Sequence, residues 1–312
     1  MTIPRIVGQD RAVATVCRLS AHTLLFTGPD GVGRRTLARW YAALLNCQLG
    51  GERPCEGCDS CSAFEYGHPD YLEVRPESAT AAGRRARRPE IRIGDLVPRP
   101  GGKQLPLSRW LEQRPKFQRR VGVIDGAHSL THSAANAFLK MLEEPPSYAV
   151  IILIAPSQPS VLPTVASRCT PVHLGPVDTS GFEDLSYLPA FRLGHIGPLL
   201  QARADPKAAQ ELRDLVEAYV AATKHDLEAS FEASDRLEKR WLNGDENLFG
   251  VLLERLRQAP PATYLAASEA LDRCQGRLEA YTPSSLAFLE LTLALRNLLR
   301  PSSGLVTTGE GS

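Results

Sequence analysis

The sequence predicts an α/β domain built on a doubly wound parallel sheet, followed by an all-α region. Three observations carry this. Between residues 1 and 175, short apolar runs alternate with helical patterns, the signature of βαβ units. Three of the five runs are almost wholly apolar, as strands buried on both faces are. After Leu174 strand signals stop, and from Asp205 to about Arg300 apolar residues recur at helical spacing.

The expected strands are 22–27, 71–75, 121–125, 149–155 and 171–174, with helices between them such as 34–46 and 133–142. Residues 176–204 form a short segment punctuated by Gly and Pro, with room for one helix pair. In the all-α region Leu212, Leu215, Val216, Tyr219 and Val220 sit at i, i+3, i+4, i+7 and i+8, and Leu248, Phe249, Leu252, Leu253 and Leu256 repeat a helical spacing. Pro260-Pro261 and Thr282-Pro283 mark helix starts. About five helices are expected, enough for a bundle. The tail, 301–312, is rich in Gly, Ser and Thr and is expected to be disordered.

The bulk numbers narrow the function classes. With 312 residues the chain is too long for one typical domain. Apolar content of 43% and charged content of 23% are those of a soluble globular protein. No apolar run reaches the ~18 residues that suggest a membrane span, and the N-terminus lacks a signal-peptide core. A cytosolic protein is expected. Net charge is only +1, so a free-standing nucleic-acid binder is disfavoured. One segment departs from this balance: 79–106 holds seven Arg or Lys residues among several Pro and Gly. It reads as a solvated, mobile insertion, or as a contact to DNA or an acidic partner.

The motif Gly28-Pro29-Asp30-Gly31-Val32-Gly33-Arg34-Arg35-Thr36 follows a strand and opens a helix, the setting of a phosphate-binding loop. Gly28, Gly31 and Gly33 let backbone N–H groups converge on phosphate oxygens, and the helix N-terminus adds a favourable dipole. A working loop reads G-x-x-x-x-G-K-S/T. Here Arg34 takes the Lys position and Arg35 the Ser/Thr position. Thr36 comes one residue late, and on a helix one residue is ~100° of rotation, so its hydroxyl should miss a magnesium ion. The acidic half of such a site should be an apolar strand ending in Asp-Glu. The candidate strand ends in Asp125, but Gly126 follows, so the carboxylate that would activate water is missing. With two separate parts damaged, ATP hydrolysis is not expected and nucleotide binding is doubtful.

Cys47, Cys55, Cys58 and Cys61 read C-x7-C-x2-C-x2-C. Thiolates at this spacing can complete a tetrahedral zinc site, and four sulfur ligands leave no position for water, so the site is structural. An iron–sulfur cluster is the rival occupant. Cys17, Cys169 and Cys274 lie apart and read as buried small apolar side chains.

Two further stretches carry a family resemblance. Residues 136–146 contain Leu139-Lys140-Met141-Leu142-Glu143-Glu144-Pro145-Pro146, and 162–169 end in Ser167-Arg168-Cys169. They resemble the L-K-x-L-E-E-P-P and S-R-C motifs of clamp-loader AAA+ subunits. With the cysteine cluster after the phosphate-loop helix, the chain is most similar to the bacterial gamma/tau and delta-prime subunits of DNA polymerase III over roughly residues 5–175. The resemblance implies an AAA+ domain over 1–175 with a zinc module at 47–61, a small helical lid at 176–204 and a helical collar at 205–300. It also implies a hetero-pentamer with gamma/tau and delta subunits that acts on the sliding clamp and primer-template DNA. From spacing alone Arg168 reads first as an Arg in a local surface salt bridge; in the family the S-R-C arginine reaches a neighbour's γ-phosphate, and that resemblance makes Arg168 the candidate arginine finger. Departures at Arg34, Arg35 and Gly126, and a length far short of tau, favour the delta-prime type.

Three readings follow. The first is a non-catalytic stator that donates Arg168 to a neighbour. The second is a gamma-like motor in which Arg34 replaces the usual Lys. The third, a zinc-dependent DNA-binding module, is weakened by the low net charge. A collar taken alone is expected to expose an apolar face that assembly would cover.

Overall fold

The computed structural model describes residues 3–79, 85–99, 105–245, 247–280 and 282–300. The expected disordered tail lies outside the described residues, as do 80–84 and 100–104 of the Arg-rich segment. The chain divides into two compact units, Met1–Asp178 with Gly194–Gly197, and Thr179–Leu193 with Pro198–Ser312.

The first unit is α/β. Its elements run α1 (Asp10–Arg18), β1 (Thr23–Thr27), α2 (Arg34–Asn46), α3 (Asp59–Tyr66), β2 (Tyr71–Val74), β3 (Glu77–Ala79), β4 (Arg85–Glu90), α4 (Ile93–Leu96), α5 (Leu107–Leu111), β5 (Arg120–Asp125), α6 (His132–Glu143), β6 (Ala149–Ala155), α7 (Pro163–Ala166) and β7 (Thr170–His173). Five strands form a sheet in the order β2-β5-β6-β1-β7, and every pairing in it is parallel. Every residue of β1 and β6 is buried, which is why both read as unbroken apolar runs.

Side chains alternate across the sheet. Leu24, Phe26, Val121, Val123, Ile152 and Ile154 pack with α1 and α2 residues such as Val16, Leu37 and Tyr41. Leu25, Ile124, Ile151 and Leu153 pack on the opposite face with Phe138 and Leu142 of α6 and with Val165. Each fully buried Leu, Ile or Phe contributes roughly 1.5–3 kcal/mol relative to exposure, so the two-faced core fixes the register of the sheet and sets the strand ends in line.

The Arg-rich segment corrects an expectation. It is not wholly a solvated loop: β3 and β4 pair antiparallel, and Ile91 and Leu96 are fully buried against the α6 side of the sheet. Cys17 is a second correction. It is exposed, whereas Cys169 and Cys274 are buried as expected. On α1 it is Ala12 and Val16 that face inward, and the next residue points ~100° away.

Buried polar groups fasten the cysteine-bearing segment to the sheet. The Asp70 carboxylate, fully buried, accepts the Lys116 and Phe117 N–H groups at 2.9 and 2.7 Å, and Asn46 Oδ1 accepts those of Gln118 and Arg119 at 3.1 and 2.9 Å. His68 stacks on Phe64 with ring centroids 4.3 Å apart. Its Nδ1 accepts the Asp70 N–H at 3.1 Å, which leaves Nε2 to carry the proton and donate to Ser60 Oγ at 3.0 Å. Burial holds the imidazole neutral, with its pKa down at about 4 against an ordinary 6.5, and the Asp70 charge only partly opposes this. Above pH 6.5 neither folded nor unfolded His68 is charged. Between pH 6.5 and 4 the unfolded chain takes a proton that the folded chain refuses, so stability is lost as pH falls, by up to about 3 kcal/mol. Urea midpoints at pH 7 and 5 test this: the His68→Gln variant should show a shallower loss than the parent chain, and equal slopes would contradict it.

The second unit is helical. After α8 (Pro189–Leu193) and α9 (Ile196–Ala204), whose first residues belong to the first unit, come α10 (Pro206–His225), α11 (Leu227–Leu242), α12 (Leu248–Leu256), α13 (Pro261–Glu279) and α14 (Ser284–Leu299). Asp205 caps α10 by accepting the Ala208 N–H at 3.0 Å, with Pro206 at the first helical position; Asp226 caps α11. Leu212, Leu215, Val216, Tyr219 and Val220 are all buried, while Phe249 and Leu253 are only half-buried and Val251 is buried instead. Tyr219 Oη, Thr292 Oγ1 and Ser234 Oγ form a buried chain of hydrogen bonds at 3.0 and 2.9 Å. Leu286, Leu289 and Leu293 form an exposed stripe along α14. Among the described residues no helix is long and apolar enough to cross a membrane.

Candidate functional site

The carboxyl ends of the parallel strands gather the phosphate-loop residues. The loop leaves β1 at Gly28, whose φ is +147°. A Cβ there would come 2.1 Å from the Leu174 carbonyl oxygen, so only glycine fits. Its N–H donates to Pro156 O at 3.1 Å, at the end of β6, and is therefore already in use. Gly31 and Gly33 also have positive φ, and Gly33 caps the N-terminus of α2. Arg34 begins that helix. Its guanidinium is ion-paired to Asp30, only 11% of the side chain is exposed, and Nη1 is buried without a hydrogen-bond partner. Thr36, half-buried, lies one residue further on.

Arg35, in the Ser/Thr position, turns to the acidic end of the site. Its Nε lies 2.6 Å from Glu73 Oε1 and 4.0 Å from Asp125 Oδ2. Arg75 Nε lies 2.6 Å from the same Glu73 oxygen and 3.5 Å from Asp125 Oδ2. Tyr71 Oη donates to Glu73 Oε2 at 3.2 Å. Burial pushes both carboxyls above their ordinary pKa, and the Arg35 charge opposes the shift at each. Asp125, the end of the candidate acidic strand, thus faces guanidinium groups. A magnesium ion needs oxygen ligands around it in near-octahedral array; two cations at these carboxylates do not fit it.

At the next position Gly126 has φ +103°, and a Cβ there would meet Pro76 Cγ at 2.8 Å. A glutamate would be strained in this left-handed backbone and would clash. The missing water-activating carboxylate is therefore a property of the backbone as well as of the side chain.

The cysteines come together at the far end of α2. Cys47 follows its last turn, Cys55 and Cys58 lie in the turn before α3, and Cys61 lies in its first turn. The four Sγ atoms are all within 4.8 Å of one another, and Cys55 and Cys61 are 3.8 Å apart. Zn–S bonds of about 2.3 Å in a tetrahedron require sulfur separations of about 3.8 Å. The Cys58 and Cys61 N–H groups point at Cys55 Sγ and Cys58 Sγ, at 3.3 and 3.5 Å. The tight turn is made by Glu56, with φ +61°. Burial raises the Cys47 thiol, but N–H groups of Cys55 and Leu49 outweigh it and leave the pKa below the ordinary value. At Cys55 the N–H groups of Gly57 and Cys58 lower it directly. The donor set fits a metal ion held by four sulfurs.

Arg168 lies just beyond α7. Its Nε and Nη2 each lie 2.5 Å from Glu143 Oε1, and Nη1 donates to Thr164 O at 2.7 Å. One third of the side chain is exposed. Within the chain it is thus in a local ion pair that joins the two family motifs. The buried Cys169 beside it donates to Val165 O at 3.2 Å, and burial pushes its thiol up to about 12.

Comparison with known proteins follows this geometry. The family described as DNA polymerase III, delta subunit, matches residues 17–178, just over half of the chain. The chain belongs to this DNA polymerase III clamp-loader AAA+ family. It is 34% identical over 187 residues to the tau/gamma subunit of Haemophilus influenzae, covering 57% of this chain and 24% of that one. It is 35% identical over 156 residues to the delta' subunit of Pseudomonas aeruginosa, covering 48% and 42%. The matched region thus spans less than half the length of these relatives. A gamma subunit-related protein from Thermotoga maritima shares the fold, with a TM-score of 0.55 at 18% identity over 94% of this chain and all of that one.

As a clamp-loader family member the chain has two site residues that the sequence reading passed over, Glu73 and Arg75. The signal was present. Tyr71 and Glu73 are alternate residues on one face of β2, Arg75 continues the alternation just beyond it, and β2 pairs with β5, which carries Asp125. Only the sheet order puts them together.

Proposed function

We propose that this chain is the delta-prime-type subunit of a DNA polymerase III clamp loader, a stator that turns over no ATP itself. The observation that carries the reading is the loss of two separate parts of a hydrolytic site. Arg34 and Arg35 replace the Lys and Ser/Thr that would hold phosphate and metal, and Gly126, left-handed against Pro76, stands where the water-activating Glu would be. In this reading the chain is an accessory subunit in the cytoplasm, in a hetero-pentamer with gamma/tau and delta subunits. It meets the sliding clamp and primer-template DNA through that complex. Arg168 serves a neighbour's ATP site, Cys47, Cys55, Cys58 and Cys61 hold a structural zinc, residues 176–204 form the lid and 205–300 the collar. The exposed Leu286, Leu289 and Leu293 stripe supports an assembly role for the collar.

A gamma-like motor is the second reading. Arg34 favours it, since a nearly buried guanidinium with one unpartnered nitrogen at the head of α2 could meet a phosphate. Hydrolysis of ATP by the isolated, zinc-loaded chain separates the two. The expected result is no turnover above that of a preparation carrying Asp125→Asn. A rate on the order of 1 s⁻¹, abolished by that substitution, would establish the motor instead.

A further inference from the structure

Glu73 is the last residue but one of β2 and Asp125 the last of β5, so adjacent parallel strands bring two carboxylates to the same end of the sheet, at the mouth of the phosphate loop. Their side chains are 13% and 28% exposed. Two such anions need neutralising in partial burial. In a phosphate-loop ATPase the counter-charge at the strand ends is supplied by a divalent cation. Here it is supplied by the chain itself. Arg35 comes from α2 and Arg75 from just beyond β2. Together they bring two positive charges, the charge of one divalent ion, to the same two carboxylates. Both Nε atoms reach Glu73 Oε1 at 2.6 Å, and Arg75 lies closer to Asp125 than Arg35 does, at 3.5 against 4.0 Å.

We propose that the Arg35 and Arg75 guanidiniums take the place of the divalent cation, so that Glu73 and Asp125 form a latent metal site which opens only when the arginines are removed. Guanidinium stays protonated at every working pH, so the replacement is permanent. It also changes what the site does. An exchangeable ion that arrives with nucleotide becomes a fixed tie between α2, β2 and β5. The loop keeps its shape with no ligand bound, which suits a rigid subunit. The inference deepens the stator reading and rests on it for that last step, but its chemistry is tested separately.

The probe is Mn²⁺ alone, which prefers oxygen ligands, followed by electron paramagnetic resonance of the free ion. The full chain is used with its cysteine cluster zinc-loaded, so that thiolates do not compete. The parent chain should show no site that responds to Asp125. Arg35→Ser with Arg75→Ala should gain one site, with Kd on the order of 10⁻³ M or tighter as for sparsely liganded oxygen sites. Adding Glu73→Gln or Asp125→Asn should remove it. Circular dichroism checks that the variants fold. Where the double variant does not fold, Arg35→Ser alone decides, with a weaker Asp125-dependent site expected. The proposal is overturned if the parent chain already binds Mn²⁺ through Asp125, or if a folded variant lacking the arginines gains no such site. Either result without ATP turnover leaves the stator reading standing, whereas turnover by the isolated chain sinks that reading whatever Mn²⁺ does.

Discussion

Under the proposed function, stripping zinc from the four-cysteine cluster should melt the segment between α2 and β2 and carry part of the first unit with it. The local chain has little else to hold it. The helix α3 has eight residues, shorter than the ~12–15 at which an isolated helix becomes even marginal, and of the residues between Cys47 and Phe64 few are apolar. Structural zinc contributes on the order of 10 kcal/mol or more of binding free energy to small modules. Here His68 stacking on Phe64 and the Ser60 hydrogen bond supply a second anchor, so partial rather than complete unfolding is expected. The damage should spread through Asn46, the residue before Cys47, whose side chain holds the Gln118 and Arg119 N–H groups just ahead of β5. Elemental analysis should give one zinc per chain. Cys55→Ser, chosen because Cys55 is only half-buried and its loss removes little packing, should bind less zinc and unfold at a temperature lower by roughly 10 °C or more, taking a few kcal/mol at a few degrees each. A zinc-free protein whose melting is indifferent to chelators and to Cys55→Ser would refute the assignment. Iron with visible absorption would replace zinc by a cluster.

What could be read from the sequence was what depends on near neighbours in the chain. The strands were legible because β1 and β6 are buried along their whole length, which leaves an apolar run that no loop would carry. The helix 34–46 was legible because Gly33 fixes its start. The cysteine cluster was legible because three of its ligands repeat every third residue. The Arg35, Arg75, Glu73 and Asp125 network was not, since it joins residues 35 and 125 through a strand order that periodicity cannot supply. The β3 and β4 hairpin was hidden for a different reason. Its sequence is dominated by Arg and Ala, and the apolar residues that return the segment to the core, Ile91, Ile93, Leu96 and Val97, come only after it. The pairing of Glu143 with Arg168, 25 residues away, was hidden in the same way as the arginine network.

That pairing sharpens what Arg168→Ala should do. Under the proposed function the guanidinium leaves Glu143 to meet the γ-phosphate held by an adjacent subunit, where it offsets charge that grows during phosphoryl transfer. Such a contact is worth on the order of 10³-fold in rate. ATP hydrolysis at the neighbouring site of a reconstituted clamp loader should therefore fall by about that factor, read as single-turnover rate with DNA and clamp present. Stability should hardly change. The ion pair is one-third exposed on the Arg168 side and about half exposed on the Glu143 side, and pairs of that kind contribute ~1 kcal/mol or less. Assembly, measured by gel filtration, should survive. Arg168→Lys keeps the charge but loses the fork that spans two oxygens, so it should recover only part of the rate. Glu143→Gln distinguishes the roles further. If Glu143 merely stores the arginine, freeing it should leave the rate intact or raise it, because no ion pair has to be broken on the way to phosphate. If Arg168→Ala leaves turnover in the intact complex unchanged, the S-R-C arginine of this chain is a local salt bridge and the stator contributes geometry alone.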